Sequence, residues 1–396
     1  MRKPNRRLLV VALHDDWQGI ARLPRELSRA GFAVGALCLP SAFLAQTRYV
    51  DQFYLLKNRH PPDRLWLRAL VQSVQDWQPQ LLIPGDDPAV LFFHQVLRGA
   101  TGGEPDDVPD LVLRILRSSL PDARRLDATI NKCAMQETAA RLGLRTPPQR
   151  VTGECSEALS FFAEHGGQPV VLKQPLGWAG HTVEVCRDEE QLRTSFNLLR
   201  RLPFVRLPFV EENPETLPRR RRRGTARATA NLIIQRFVAG RAAVFAAVAW
   251  KGELLAGYSL LKKPAPAPAR GPSSVVRVRE HPEMAATAAA FIAAVKFTGF
   301  VEFDFIVEAR TGAACLLECN ARPSPMSSLG SLTGVDLSRA LFAKVRERRR
   351  QPTSLKTGTL IALFPQEWHR DPLSPLWRGA HHDVPWDDPG LLRALV

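Results

Sequence analysis

The stretch that most restricts the fold of this chain runs from Gly299 to Arg322. Val301, Phe303, Phe305 and Val307 alternate with Glu302, Asp304 and Glu308, the period of a strand with one apolar and one acidic face. Beyond Arg310-Thr311-Gly312 a second alternation begins, with Ala314, Leu316, Glu318 and Asn320 sharing one face and Cys315, Leu317 and Cys319 the other. An antiparallel pair brings both polar sets to the same side only if the loop is odd in length. The three-residue loop 310–312, with Gly312 supplying positive φ, meets this condition and predicts Asp304 opposite Glu318 and Glu302 opposite Asn320. Three carboxylates and an amide on one face repel at neutral pH unless a cation sits among them. Hard oxygen donors suit Mg2+ or Mn2+, with a phosphate substrate completing the shell. The alternative is a solvent-facing hairpin with merely exposed acids; the apolar flanks, and Arg322 just beyond Asn320, favour the metal.

Composition excludes several other classes. A length of 396 residues, 45% hydrophobic and 23% charged, describes a globular chain of two or three compact units. The apolar run Ala285 to Val295 is too short for a bilayer span, and the run Leu8 to Leu13 is cut off by His14, Asp15 and Asp16 before it reaches signal-peptide length. A buried first strand and a cytoplasmic protein are expected. Six scattered cysteines without a C-x-x-C pair argue against a disulfide scaffold or a cysteine zinc site. The net charge of +15 is concentrated in Arg2 to Arg7, Arg219 to Arg223 and Arg346 to Arg350, leaving the body nearly neutral. Solvated arginine loops explain this more simply than specific nucleic-acid binding.

The first third alternates apolar runs (8–13, 33–39, 81–84) with amphipathic stretches (19–30, 63–77), the pattern of a parallel sheet covered by helices. The turn Pro84 to Pro88 lies at the carboxyl end of a strand; it either helps bind a substrate or, more simply, starts a helix capped by Asp86 or Asp87. A helix over 129–142, strands over 169–174 and 182–186, and a strand over 231–237 follow. The segment 203–230 reads as an exposed insertion rich in proline, arginine and glutamate. Runs 243–250 and 253–261 form a hairpin at Lys251-Gly252, and 282–297 is an alanine-rich helix with Gly299 as its stop. A final strand over 357–364 leads to a tail with Trp368, Trp377, His381, His382 and Trp386, whose tryptophans are expected to pack on the body while the histidines are exposed, in preference to a His/Asp metal site.

The Glu318-x-Asn320-x-Arg322 segment, preceded by an acidic strand after Gly299, resembles the metal-binding end of the ATP-grasp superfamily, in particular its carboxylate-amine ligases and carbamoyl-phosphate-synthetase-type domains. Three further features fall in the family's order: Asn131-Lys132 at a helix start, Val170 to Gly180 as a strand with a lysine and a glycine-containing loop, and Ile233 to Gly240 as a hinge strand. The resemblance implies an α/β protein with α+β grasp lobes. An N-terminal parallel-sheet domain (1–125) would precede a two-lobed grasp domain (126–345, central lobe about 166–238), with a C-terminal strand and tail (346–396). It also implies that Lys132 and Lys173 contact ATP phosphates, that the loop Gly177 to Gly180 folds over them, and that Gln235, Phe237 and Val238 meet the adenine. Glu302, Glu318 and Asn320 match the metal ligands, Asp304 is a further candidate, and Arg322 would steady the transferred phosphoryl group.

The implied reaction is ATP- and Mg-dependent activation of a carboxylate as an acyl phosphate, followed by attack of an amine or another nucleophile, with release of ADP and phosphate. The hydroxyl-rich segment Ser324 to Gly334 is expected either to place Ser327 or Ser328 against substrate or to cap a helix. Small-molecule substrates, no membrane and a possible homo-oligomer complete the expectation. At the hinge, Arg236 stands where an acid is frequent, and Ala242 occupies a position that often supplies a ribose-binding acid. These departures keep open a catalytically weakened nucleotide-binding protein, and the arginine loops keep open a nucleic-acid-associated one.

Overall fold

The computed structural model describes residues 6–14, 17–58, 61, 63–99, 108–175, 182–201, 231–263, 273–349 and 353–396. Its first unit is a parallel four-stranded sheet. The strands β1 (Arg7–Val11), β2 (Ala33–Cys38), β3 (Gln52–Leu55) and β4 (Leu81–Pro84) lie in the order β3-β2-β1-β4. Helices α1 (Leu23–Ala30), α2 (Asp63–Trp77), α3 (Asp87–Arg98) and α4 (Asp110–Ser119) cover it. Both faces of β1 are buried, hence its unbroken apolar run: Leu9 and Val11 pack with residues of α2, α3 and α4, while Leu8 and Val10 share a core with the large sheet described next.

Helices α6 (Cys155–Glu164) and α7 (Glu189–Arg201) cover an antiparallel sheet, in which β5 (Gln149–Thr152), β6 (Val170–Lys173), β7 (Val183–Cys186) and β8 (Leu232–Arg236) run β5-β8-β6-β7, whereas α5 (Lys132–Arg141) packs with Phe245 and Phe303. The chain then builds a seven-stranded sheet. Its strands are β9 (Gly240–Trp250), β10 (Glu253–Lys262), β11 (Val275–Val278), β12 (Gly299–Glu308), β13 (Ala314–Asn320), β14 (Leu360–Ala362) and β15 (His381–His382), in the order β13-β12-β9-β10-β11-β14-β15. Helix α8 (Pro282–Val295) packs on one face against Phe245, Phe303 and Phe305. Its stop is Lys296 in the left-handed conformation, three residues before Gly299, which instead opens β12. Short helices α9 (Gly330–Thr333), α10 (Leu337–Val345), α11 (Gln366–Arg370), α12 (Leu376–Gly379) and α13 (Pro389–Leu395) complete the chain. The α/β class read from the sequence is the one observed.

The C-terminal tail joins the first unit through charge: Arg25 and Arg29 hold Asp387 at 2.8 and 2.9 Å. Its aromatic residues depart from expectation, because Trp386 is 69% exposed and Trp368 38%, while Trp377 meets Phe364. None of the six cysteines is in a disulfide, and among the described residues no helix is long and apolar enough to cross a membrane.

Candidate active site

The β12/β13 hairpin delivers its acids in the expected register: Glu302 lies opposite Asn320 and Asp304 opposite Glu318. It does so by a different route. The outer rungs pair Phe305 with Leu316 and Val307 with Ala314, so the ladder slips by one residue at Leu317. This bulge puts Ala314 and Leu316 in the core with Cys319, on the face away from Glu318 and Asn320, rather than on one face with them. The doubled Leu316-Leu317 is the only trace of the bulge in the sequence. Gly312 has φ 72°, as its place in the turn requires.

Each acid already has a partner. Lys132, at the first turn of α5, places its Nζ 3.0 Å from Glu318, and Asn131 caps that helix by accepting the N–H of Cys133 at 2.8 Å. Asp304 accepts from Lys262 at 2.8 Å and from the Asn320 amide at 2.9 Å. Glu302 is buried and accepts from the Ser324 hydroxyl. Burial, followed by the Asp304 carboxylate, pushes Glu302 up to about 6. Burial would pull Lys262 down, but the Asp304 and Glu302 carboxylates outweigh it and raise the ammonium above its usual range. Lys262 and Ser324 were missed by sequence reasoning. Lys262 ends an alternating strand, and its approach to a residue 42 positions away passes over β9, which no local pattern reveals.

Lys173 closes β6 and is 5% exposed; it donates to Gln235 at 3.3 Å, and Gln235 donates to Gln149 at 3.1 Å. Burial lowers this lysine to about 8. The backbone N–H of Lys132 reaches the carbonyl of Pro175, so the segment leaving β6 is tied to the start of α5. Gly177 and Gly180 lie outside the described residues, as does the insertion 203–230. Phe237 is 42% exposed and gives its N–H to Pro169, whereas Val238 is buried.

Arg322 is buried and makes an ion pair of 2.8 Å with Asp87 of the first unit, with its guanidinium 4.8 Å from the Trp17 ring. Burial opposes its charge, but Asp87 outweighs this and raises it. The turn after β4 thus divides two roles: Asp86 is the helix cap, accepting from Ala89, Leu13 and His14, and Asp87 turns to Arg322. Neither Trp17 nor Asp87 was singled out as an arginine partner from sequence. In the segment after β13, Ser324 caps a short helical turn and Ser327 accepts the Ser324 N–H at 3.1 Å, so the capping expectation accounts for Ser327. The Ser328 hydroxyl is buried without a hydrogen-bond partner.

The arrangement sets oxygen donors of β12 and β13 against Lys262 from the same sheet and Lys132 from α5. No three His, Cys, Asp or Glu side chains close into a metal cage among the described residues. The oxygen-only set of Glu302, Glu318 and Asn320 on two adjacent strands is open-sided instead, which fits Mg2+, an ion that keeps places for water and phosphate oxygens.

Comparison with known proteins bears on the fold. The family described as the carbamoyl-phosphate synthase L chain ATP binding domain matches residues 268–347. No curated protein matches by sequence. Among solved structures, the biotin carboxylase domain of the 2-oxoglutarate carboxylase of Hydrogenobacter thermophilus, with MgADP, ADP and bicarbonate, is 16% identical and superposes with a TM-score of 0.61, covering 90% of this chain and 73% of that one. The N5-carboxyaminoimidazole synthetase of Staphylococcus aureus with ADP is 11% identical, TM-score 0.61, with coverage of 89% and 81%. The L-amino acid ligase of Bacillus licheniformis is 13% identical, TM-score 0.55, with coverage of 87% and 75%. At these identities the likeness is one of fold.

Proposed function

Because this chain carries the ATP-grasp fold, we propose that it is an ATP- and Mg2+-dependent ligase that activates a carboxylate for attack by an amine or a related nucleophile. The observation that carries the reading is the opposition of Glu302 to Asn320 and Asp304 to Glu318, facing Lys132 and Lys262. Glu302, Glu318 and Asn320 would hold Mg2+, which would supply positive charge to offset the charge that develops on the transferred phosphoryl group. Asp304, paired with Lys262, supports this set from its edge.

Lys132 and Lys173 neutralise the triphosphate as it enters, Lys132 exchanging Glu318 for a phosphate oxygen and Lys173 leaving Gln235. Gly177 to Gly180 would cover the phosphates, and Gln235, Phe237 and Val238 would border the adenine. A substrate carboxylate oxygen attacks the γ-phosphorus, the bond to the ADP oxygen breaks, and Arg322 meets the transferred phosphoryl group. The nucleophile then adds to the acyl carbon, phosphate leaves with the bonding pair, and the nucleophile's proton is released. Ser328, with its unengaged hydroxyl, is the better of the two serines for contacting the acceptor. The substrates are small molecules, and the two grasp lobes and the N-terminal unit act as the domains 126–345 and 1–125.

Calorimetric titration with MgATP tests this reading. Saturable binding is expected, weakened at least about tenfold, or about 1.4 kcal/mol, by Lys173→Ala and by Glu318→Ala. An intact protein that binds no MgATP would overturn it.

A further inference from the structure

A cavity of about 620 Å³, lined by none of the site residues, opens at the seam between the first unit and the large sheet. Its size is that of a site for a small organic ligand. The floor is apolar, with Ala30 at the end of α1, Leu255 and Ala256 on β10, and Ala340 and Phe342 on α10. The rim carries Arg339, Arg348 and Arg349 against the single carboxylate of Asp336.

The backbone has been shaped to bring those arginines there. Helix α10 ends in a reversal in which Glu347 donates its N–H to Lys344 at 3.1 Å and Arg348 donates to Ala343 at 2.8 Å. Glu347 takes the left-handed position of this motif with φ 51°, where glycine is usual and a side chain costs about 1 kcal/mol. The same left-handed stop ends α8 at Lys296; here Arg348 and Arg349 follow it at the cavity. On the opposite wall, Gly334 has φ 82° and lies so close to the Ser354 carbonyl that a Cβ there would stand 2.0 Å from the oxygen, which draws the returning chain with Thr353 against the mouth. Beside the floor, the β9/β10 ladder slips between Leu254 and Ala256, so β10 is irregular where it lines the cavity.

We propose that this cavity is a second ligand site, for an organic anion with a flat apolar body: the body on Leu255, Ala256, Ala340 and Phe342, and the anionic group between Arg348 and Arg349. Charge complementarity selects the class. Among the described residues, Arg348 and Arg349 add positive charge beyond the Arg339–Asp336 pair above an apolar floor, and neither a neutral apolar molecule nor a small inorganic anion satisfies both.

The probe is 8-anilinonaphthalene-1-sulfonate, which joins an aromatic body to one sulfonate, titrated into the full chain and followed by fluorescence. Saturable binding of one equivalent is expected. It should be weakened about tenfold or more by Arg348→Ala with Arg349→Ala, lost in Ala340→Trp, and unchanged by saturating MgATP. Both arginines are exposed, so their replacement leaves the fold intact, and an unchanged circular dichroism melt verifies this. The uncharged N-phenyl-1-naphthylamine should bind at least about tenfold more weakly than the sulfonate. Absence of saturable binding, binding indifferent to the arginine substitutions, or displacement by MgATP would each overturn the proposal. Because the readout requires no turnover, it stands apart from the ligase reading.

Discussion

Lys173 is the residue on which burial and charge compete most directly. Burial holds it at about 8 in the free protein, while bound triphosphate would favour its ammonium form and raise that value. A group whose pKa rises on binding takes up a proton when the pH lies between its two values. MgATP binding at pH 8 to 9 is therefore accompanied by proton uptake, measurable as a dependence of the binding heat on the ionisation enthalpy of the buffer. Affinity falls as the pH rises above 8. Replacement by arginine, which stays protonated, removes the uptake. An equal binding heat in all buffers at pH 8.5 would show that Lys173 does not meet the phosphates. The lysine was singled out through the family resemblance, from its place in the stretch Val170 to Gly180. Its partner Gln235, 62 residues away, became a partner only through strand pairing, since β6 lies beside β8.

At the scale of the element, the β12/β13 hairpin separates what alternation can and cannot reveal. The register of the acids was readable because Glu302, Asp304, Glu318 and Asn320 share a period of two and an apolar reverse face. The bulge at Leu317 was not, because two adjacent leucines fit a regular strand as well as an irregular one, and only the pairing of Phe305 with Leu316 decides. The two readings put Leu316 on opposite faces. In the structure it is fully buried, so Leu316→Ala costs about 2–5 kcal/mol in urea unfolding. A loss below about 0.5 kcal/mol would return Leu316 to the exposed side with Glu318. The same limit applies at the ends of α8, where Lys296 ends the helix and Gly299 does not, because a terminal residue is decided by the turn that follows it.

At the scale of the whole molecule, the first unit reaches into the site through one ion pair. Arg322 follows β13, Asp87 begins α3, and Trp17 lies beneath the guanidinium. The parallel sheet of that unit was legible in its apolar runs and the start of α3 in its Asp86-Asp87-Pro88 cap, although β3 and α4 were passed over, and nothing in either segment announces a contact across 235 positions. Removing Asp87 leaves a buried guanidinium without its carboxylate. Because Asp87 is itself partly exposed, Asp87→Ala is expected to cost about 1–3 kcal/mol, less than the about 3–5 kcal/mol of breaking a fully buried pair. A double-mutant cycle with Arg322→Leu should return a coupling of about 1 kcal/mol, and additive losses would mean that the pair does not hold the units together.

The central claim is that a carboxylate is activated on this face, and trapping of the activated acid tests it most directly. The intact protein would be incubated with MgATP, hydroxylamine and a mixture of small carboxylic and amino acids, and hydroxamate and ADP measured together. The account predicts hydroxamate formed in step with ADP, with both lost in Glu318→Ala. ADP formed alongside a stable phosphoester and no hydroxamate, or saturable MgATP binding with neither product, would contradict it.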